Sequence, residues 1–378
     1  MFSKLTNIPS VSHLFSGKTA SPKELADPRR ILVAHFGNTV EIIQTLPALL
    51  ALRHRFPHAE IAWLTSENAA PLILDHWAVN RFIFVRNDWL KHFSEIRRVR
   101  QRLQSFAPQV ALDPQNSFGS SLAAWLSNAK YRIGFGEKQK RHLHNIPVAA
   151  EATHRIERNL QLLQPLGIFG SSIDFDMPEC ETDQIAAQNI LHGKGLHGNF
   201  ALLHLSADNP AARWQEERYG MVAKYLLDEW NLPSLITWSG YEQELRRAES
   251  AVHAADGAAS QTPGTTLATR RSLAKVATVF ISSDGIELQI AAAVGTKCVG
   301  LFGPTQAKEN APLGREHRVI QAQDFSKHQQ KKRTSLLGWM DAIQPEMVCE
   351  KCDEVLAEIL SPGVVSIPQR QSVQRKAA

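Results

Sequence analysis

Between Arg30 and Leu360, apolar runs of strand length alternate with amphipathic runs of helix length, and the alternation is carried through twice. A strand followed by a helix, many times over, implies parallel sheets covered by helices on both faces. In the first pass Ile31–His35, Glu60–Thr65, Arg81–Val85, Gln109–Asp113 and Tyr131–Gly134 read as strands. Val40–Arg55, Asn68–Asp75, Asp88–Phe106, Ser117–Ser127 and Thr153–Leu166 read as the helices between and after them. A polar stretch, Gly170–Asp183, then has the composition of an exposed connection. The second pass has strands at Phe200–Leu205, Pro233–Trp238, Thr278–Ser282 and Cys298–Phe302, with helices at Glu216–Trp230, Gln243–Ala255, Arg271–Ala277 and Leu288–Val294. Met347–Leu360 reads as a closing helix.

A length of 378 residues suits two such domains. The expected division is a flexible arm at 1–29, a first doubly wound α/β unit at 30–170, a linker at 171–183, a second unit at 184–342, the closing helix at 343–361 and a flexible tail at 362–378. Two doubly wound sheets facing a cleft is the simplest assembly.

Composition removes several classes of function. With 43% hydrophobic and 21% charged residues the chain is neither disordered nor fibrous. Four cysteines in so long a chain do not make a disulfide scaffold. The start lacks a basic-then-apolar leader, so a cytoplasmic setting is expected. No apolar run reaches the roughly 20 residues that span a bilayer; Ala291–Leu301 is interrupted by Gly295 and Lys297. The formal charge of +5 favours anionic partners, among them nucleotides and acidic lipids. No nucleic-acid-binding signature accompanies it.

In open parallel sheets ligands gather beyond the carboxyl ends of strands, which singles out three loops. In His35-Phe36-Gly37-Asn38-Thr39-Val40-Glu41, Gly37 tightens the turn, Asn38 or Thr39 caps the helix, and Glu41 is the best candidate for a general base. The competing reading is that Glu41 is a first-turn acid placed there by the helix dipole. In Ser206-Ala207-Asp208-Asn209-Pro210-Ala211-Ala212-Arg213-Trp214, Arg213 is a cation for a phosphate, or alternatively a cover for the Trp214 indole. In Ser282-Ser283-Asp284-Gly285-Ile286-Glu287, Gly285 lets the backbone approach a diphosphate or sugar while Asp284 or Glu287 accepts hydroxyl protons.

Other features have plainer readings. Gly300–Thr305 is a rigid turn after a strand. Cys349 and Cys352 form a C-x-x-C inside a helix without a second pair, which speaks for packing rather than zinc. Arg97, Arg98, Arg100 and Arg102 make a basic helix, read as a solvated face or else as a dock for an acidic acceptor or lipid headgroups.

These loops, in order, resemble those of the ADP-heptose:lipopolysaccharide heptosyltransferases of glycosyltransferase family 9, and within them the heptosyltransferase I type. The resemblance rests on Ile31–Val33 followed by Thr45-Leu46-Pro47-Ala48-Leu49 and Arg53-x-x-Phe56-Pro57, on Asp113-Pro114-Gln115, on Arg132-Ile133-Gly134-Phe135, and on Arg158-Asn159-Leu160. It continues through Arg213-Trp214, Trp238, Asp284, Ala291-Ala292-Ala293-x-Gly295-Thr296 and Leu301-Phe302-Gly303-Pro304-Thr305. It implies a GT-B fold: a Rossmann-like acceptor domain, a Rossmann-like nucleotide-sugar domain, and a closing helix packed back on the first.

The activity implied is an inverting transfer of heptose from ADP-heptose to a Kdo sugar on lipid A, by an enzyme without cofactor or metal. Such an enzyme would be cytoplasmic, with peripheral contact at the inner membrane. Carried over by position, Glu41 is the base where the family usually has Asp. Ser206 and Arg213 lie near the diphosphate, Glu242 near the ribose, and Asp284 with Gly285 at the donor sugar. Asn38, Arg97 and Arg132 are assigned to an anionic glycolipid acceptor.

The chain also departs from the pattern. Val40 stands for the usual Gly, Ala212 for a Lys that neutralises the diphosphate, and Asp284-Gly285-Ile286-Glu287-Leu288-Gln289 for Asp-Thr-Gly-Pro-Met-His. The alternatives are therefore a GT-B descendant that binds a nucleotide sugar or a partner without turnover, and a transferase with a different donor.

Overall fold

The core strands are built from Val, Ile, Leu, Ala and Phe with almost no exposed position, and such segments are stable only when both faces are covered. The computed structural model describes residue 25 and residues 27–360 except 68–72, 75, 87, 137–142, 171–172, 208 and 323–337. Among these residues, twelve strands form two parallel six-stranded sheets.

The first lobe holds β1 (Arg30–Ala34), β2 (Glu60–Ser66), β3 (Arg81–Val85), β4 (Val110–Asp113), β5 (Tyr131–Phe135) and β6 (Ile146–Val148), in the order β3-β2-β1-β4-β5-β6. Its helices are α1 (Thr39–Ile43), α2 (Leu46–Arg55), α3 (Phe93–Phe106), α4 (Phe118–Leu126) and α5 (Arg155–Gln161). The second lobe holds β7 (Ala201–His204), β8 (Ser234–Thr237), β9 (Ala259–Gln261), β10 (Val279–Ser283), β11 (Cys298–Phe302) and β12 (Arg318–Gln321), in the order β12-β11-β10-β7-β8-β9. Its helices are α6 (Glu181–Gly193), α7 (Glu216–Trp230), α8 (Glu242–Ala254), α9 (Leu267–Val276), α10 (Ile286–Ala293), α11 (Ala307–Asn310) and α12 (Pro345–Leu360). Counted from the first strand of each lobe, both sheets have the order 3-2-1-4-5-6 of the doubly wound fold. Register is set by apolar partners: Ile31 lies beside Ile61 and Val110, and Ile281 beside Leu203 and Val299.

The expected helix Val40–Arg55 is two helices. Pro47 sits in the first turn of α2 and has no N–H to continue the ladder of α1. Thr45 fills the break, its hydroxyl donating to the Glu41 carbonyl at 2.9 Å. Asp88–Phe106 and Thr153–Leu166 are likewise divided, with 3-10 turns at Trp89–Lys91 and Gln164–Leu166. The strands β6, β9 and β12 and the helices α6 and α11 went unread in the sequence. The three strands are short sheet-edge members with little apolar signal, as expected where one side lacks a neighbour. Residues 173–180 carry neither helix nor strand, but α6 begins at Glu181, inside the expected linker. Most of the arm, the tail at 362–378 and most of Asn68–Asp75 lie outside the described residues.

The closing helix is a correction. It was expected on the first domain, yet α12 packs on α7 and on β10, β11 and β12 of the second lobe. Its stripe Val348, Cys352, Val355 and Leu356 is buried in that lobe's core. Polar contacts fix it there: Trp214 Nε1 donates to the Ile343 carbonyl at 2.9 Å, and Tyr225 and Trp230 donate to the Asp353 carboxylate at 2.7 and 2.8 Å. Cys349 and Cys352 are thus packing residues, with burial pushing both thiols up. Among the described residues, no helix is long and apolar enough to cross a membrane.

The loop after β4 is pinned from inside. Asp113, fully buried, accepts from Ser121 Oγ at 2.6 Å, from the Asn116 N–H at 2.9 Å and from His144 Nε2 at 3.0 Å. A Cβ on Gly134 would collide with the His144 ring, so the glycine is what lets the ring reach the carboxylate. Asp113→Ala, which orphans the buried Ser121 and His144 donors, is expected to cost about 3 kcal/mol or more of stability in denaturant unfolding.

Candidate active site at the two switch points

In each sheet the chain first winds one way and then the other, leaving a crevice between the two central strands. In the first lobe that crevice lies between the loops after β1 and β4, and in the second between the loops after β7 and β10. The helices leaving β1 and β10 meet: α1 packs on α10, and Ile42 and Ile43 share an apolar cluster with Ile290. Polar contacts extend the seam, since from the first lobe His154 Nε2 donates to the Ala311 carbonyl at 2.7 Å and Gln44 Nε2 to the Asn310 carbonyl at 3.5 Å. The two crevices therefore open onto common space. A cavity of about 380 Å³ is lined by Asn38, Thr39, Val40 and Glu41 from one lobe and by Asn209, Ala212, Asp284, Gly285 and Thr305 from the other, with Arg155 between them. A second, of about 240 Å³, lies on the first lobe beside His35, Glu41, Gln115, Arg155, Arg158 and Asn159. Glu41 and Arg155 line both.

Asn38 places Glu41 by capping α1, its side-chain oxygen accepting from the Glu41 N–H at 3.0 Å. The Glu41 carboxylate bonds to Arg155 Nη1 at 2.9 Å and lies 3.8 Å from His35 Nε2. The His35 ring, against the opposing effect of burial, and then Arg155 hold the Glu41 carboxyl below its ordinary value. His35 is oriented in turn by Thr45 Oγ1 at 3.1 Å, and Thr45 accepts from Asn159 Nδ2 at 3.2 Å. Gly37 is needed for a steric reason, because a Cβ there would strike the Glu41 carboxylate. Gln115 joins the two first-lobe loops by accepting from the Phe36 N–H at 3.0 Å. Arg158 lies over the Phe135 ring at 5.0 Å, its buried Nε without a protein partner.

Across the cavity, Asp284 has the opposite environment, and burial pushes its carboxyl up. Two carboxyls driven apart in this way suit different tasks. The one kept ionised can accept a proton, while the one raised by burial can both donate and accept hydrogen bonds to hydroxyls.

The structure brings Glu41, Asn38, Asp284 and Gly285 to one cavity. The other expected site residues lie elsewhere. Ser206 is buried and its hydroxyl donates to Glu244, so it faces that acid rather than the cavity. Arg213 is exposed, with Nε on the Ala207 carbonyl at 3.3 Å, and does not line the cavity. Glu242 is an exposed first-turn residue, and the acid turned inward is Glu244. Against the upward push of burial, the Ser206 and Ser239 hydroxyls hold the Glu244 carboxyl below its ordinary value. Glu244 occupies the third position of α8 and reaches back to the preceding loop, accepting from the Ser239 N–H at 3.2 Å. Glu287 is paired with Arg270 at 3.1 Å. Arg97 lies on the exposed face of α3, its guanidinium 5.3 Å from the Phe93 ring centre. Arg132 is near the start of β5, at the end of the sheet away from the cavity, and bonds the Leu143 and Ala129 carbonyls at 2.8 and 2.9 Å. Arg155 and Gln115 were missed as site residues because only the fold brings them to the Glu41 loop, whereas His35 stands in that loop but was given no role.

A sequence model of glycosyltransferase family 9 (heptosyltransferase) matches residues 96–340. The chain belongs to glycosyltransferase family 9. Among curated members, it is 22% identical over 280 residues to lipopolysaccharide heptosyltransferase 3 of Escherichia coli K12, covering 70% of this chain and 80% of that protein. It is 24% identical over 313 residues to lipopolysaccharide heptosyltransferase 1 of Pseudomonas aeruginosa, covering 78% and 84%. Among solved structures, the family 9 glycosyl transferase from Veillonella parvula superposes with a TM-score of 0.75 at 19% identity, covering 87% of this chain and 98% of that one. The Escherichia coli heptosyltransferase WaaC with ADP superposes at 0.64 and 20% identity, with coverage of 87% and 98%. The GT-B fold expected from the sequence is thereby established, and the family 9 chain is a glycosyltransferase. Because Gly37 only makes room for a flexible carboxylate, Gly37→Ala is expected to leave the melting temperature nearly unchanged while lowering transferase kcat about 10–100-fold.

Proposed function

We propose that this glycosyltransferase moves a heptose from ADP-heptose to a Kdo sugar of the lipid A inner core, with inversion at the anomeric carbon. One observation carries the reading: Glu41, held ionised, faces Asp284 and Gly285 across a cavity shared by both switch points. In this reaction the acceptor hydroxyl oxygen bonds to the anomeric carbon as the bond from that carbon to the phosphate oxygen breaks. Glu41 takes the hydroxyl proton and ADP leaves. Asp284 and the Gly285 backbone hold the sugar hydroxyls. Asn38 positions Glu41 through its cap, and the acceptor occupies the first-lobe cavity beside Arg158 and Gln115. The lipid-borne acceptor is met at the cytoplasmic face of the inner membrane.

A second reading, a binder without turnover or a transferase for another nucleotide sugar, is favoured by two particular residues. Ala212 offers a buried methyl group to the cavity, and the Gln289 amide is tied to the Asn310 carbonyl. Purified protein given ADP-heptose and a Kdo-bearing lipid A separates the readings through release of ADP. Glu41→Gln is expected to lower kcat about 10²–10⁴-fold. Absence of release by the wild type abandons the transfer to Kdo. The pH profile gives a further check: with the Glu41 carboxyl held below its ordinary value of 4.5, the acid limb of kcat/KM is expected below that value, and a midpoint above it would assign the base to another group.

A further inference from the structure

The charges around the shared cavity do not match the ligand proposed for it. Its described lining carries two carboxyls, Glu41 and Asp284, and one cation, Arg155. The second lobe contributes Asn209, Ala212, Gly285, Ile286, Thr305 and Asn310, none of them basic. A nucleoside diphosphate brings two or more negative charges into this space, and a phosphate group recruits guanidinium N–H donors in preference to neutral ones. Arg155 arises from the first lobe, at the start of α5, and its side chain is 41% exposed. Its one hydrogen-bond partner among the described residues is Glu41. Glu41 and a diphosphate therefore compete for one guanidinium.

We propose that Arg155 is the diphosphate ligand of this chain and that it couples the two substrates: it is bonded to Glu41 and passes to the diphosphate of the arriving nucleotide sugar, leaving the Glu41 carboxylate free to meet the acceptor hydroxyl. The inference rests on the nucleotide-sugar reading above and deepens it. Neighbouring residues make the exchange short. Asn38 holds the Glu41 backbone, and the adjacent His154 is fixed at both ring nitrogens, Nδ1 by the Ile156 N–H at 3.2 Å and Nε2 by the Ala311 carbonyl. The movement is thus confined to the Arg155 side chain, while the helix bearing it stays anchored to both lobes. A cation that enters from the acceptor lobe also offsets the missing charge at Ala212.

Calorimetric titration of the full chain with ADP, UDP, GDP and adenosine tests this without requiring turnover. Arg155→Gln is expected to weaken binding of the preferred diphosphate about tenfold or more and to leave adenosine unaffected, and Arg155→Lys to recover part of the loss. Glu41→Gln, which releases the guanidinium, is expected to tighten the same diphosphate severalfold, and that gain is expected to vanish in the double variant Glu41→Gln, Arg155→Gln. A purely structural role for Arg155 produces neither the sparing of adenosine nor the loss of the gain. Equal diphosphate affinity in wild type and Arg155→Gln, with unchanged melting temperatures, overturns the inference and leaves the transferase reading standing. So does a Glu41→Gln gain that persists without Arg155, because simple repulsion by Glu41 then explains it. Binding of UDP or GDP but not ADP overturns the ADP-heptose reading and moves the Arg155 comparison to the nucleotide that binds. Failure of all three to bind the wild type overturns both.

Discussion

The packing of α1 on α10 is the constraint from which the site follows. Each helix leaves its sheet at the switch point, so wherever these two helices touch, the two crevices must face each other. Ile42 and Ile43 on one side and Ile290 on the other are almost fully buried, and burying an isoleucine contributes roughly 1.5–3 kcal/mol. The short α1 makes this contact only because Pro47 ends the helix. A continuous helix from Val40 to Arg55 would direct the same residues along one axis, without the turn at Gln44 and Thr45 that ties Asn159 and His35 to the Glu41 loop.

Electrostatics then assign different work to two similar side chains. Glu41 lies beside an imidazole and a guanidinium, with its own N–H capped, and the charged form is favoured. Asp284 lies at the end of a buried strand, where desolvation dominates and the neutral form gains. The glycine in front of Glu41 and the glycine after Asp284 contribute in unlike ways. The first clears space for a carboxylate, whereas the second, in extended backbone with no neighbouring atom closer than 3.9 Å to where a Cβ would lie, leaves the strand end open to the cavity. The geometry around Glu41 therefore depends on residues that do not line either cavity, such as Thr45 and the buried Asp113.

Much of the fold was legible because both sheets are central-strand-rich, and fully buried strands leave runs such as Ile31–Ala34 and Val279–Ile281 that polar loops delimit. What was not legible lacked that contrast: β6, β9 and β12 lie at or near sheet edges, and α6 shows little apolar face, with Ala187 its only buried residue. In the site, residues close in sequence to the strand ends could be found, as Glu41, Asn38, Asp284 and Gly285 were. The misplaced arginines share a cause. Arg132, Arg97 and Arg213 were chosen for their charge, and charge alone does not tell which end of a strand or which face of a helix a side chain occupies. Arg155 was invisible for the converse reason: it is a helix residue remote from Glu41 in sequence, and only the return of α5 to α2 brings it there.

The substitutions that first suggested a lost activity also have a structural content. Gln289 is buried in α10 and donates to the Asn310 carbonyl, the same carbonyl that Gln44 approaches at 3.5 Å from the first lobe. Ala311, one residue on, receives His154. A short stretch of the second lobe is thus gripped by side chains from both lobes, and Gln289 is part of the grip. A side chain held in that way is withdrawn from the cavity, whose lining on this side includes Asp284, Gly285, Thr305 and Asn310. Among the described residues that line the cavity, Ala212 brings no charge and the one cation, Arg155, comes from the first lobe. The cavity is then a composite, in which the second lobe brings Asp284 and Gly285 and the first brings Glu41 and the guanidinium of Arg155.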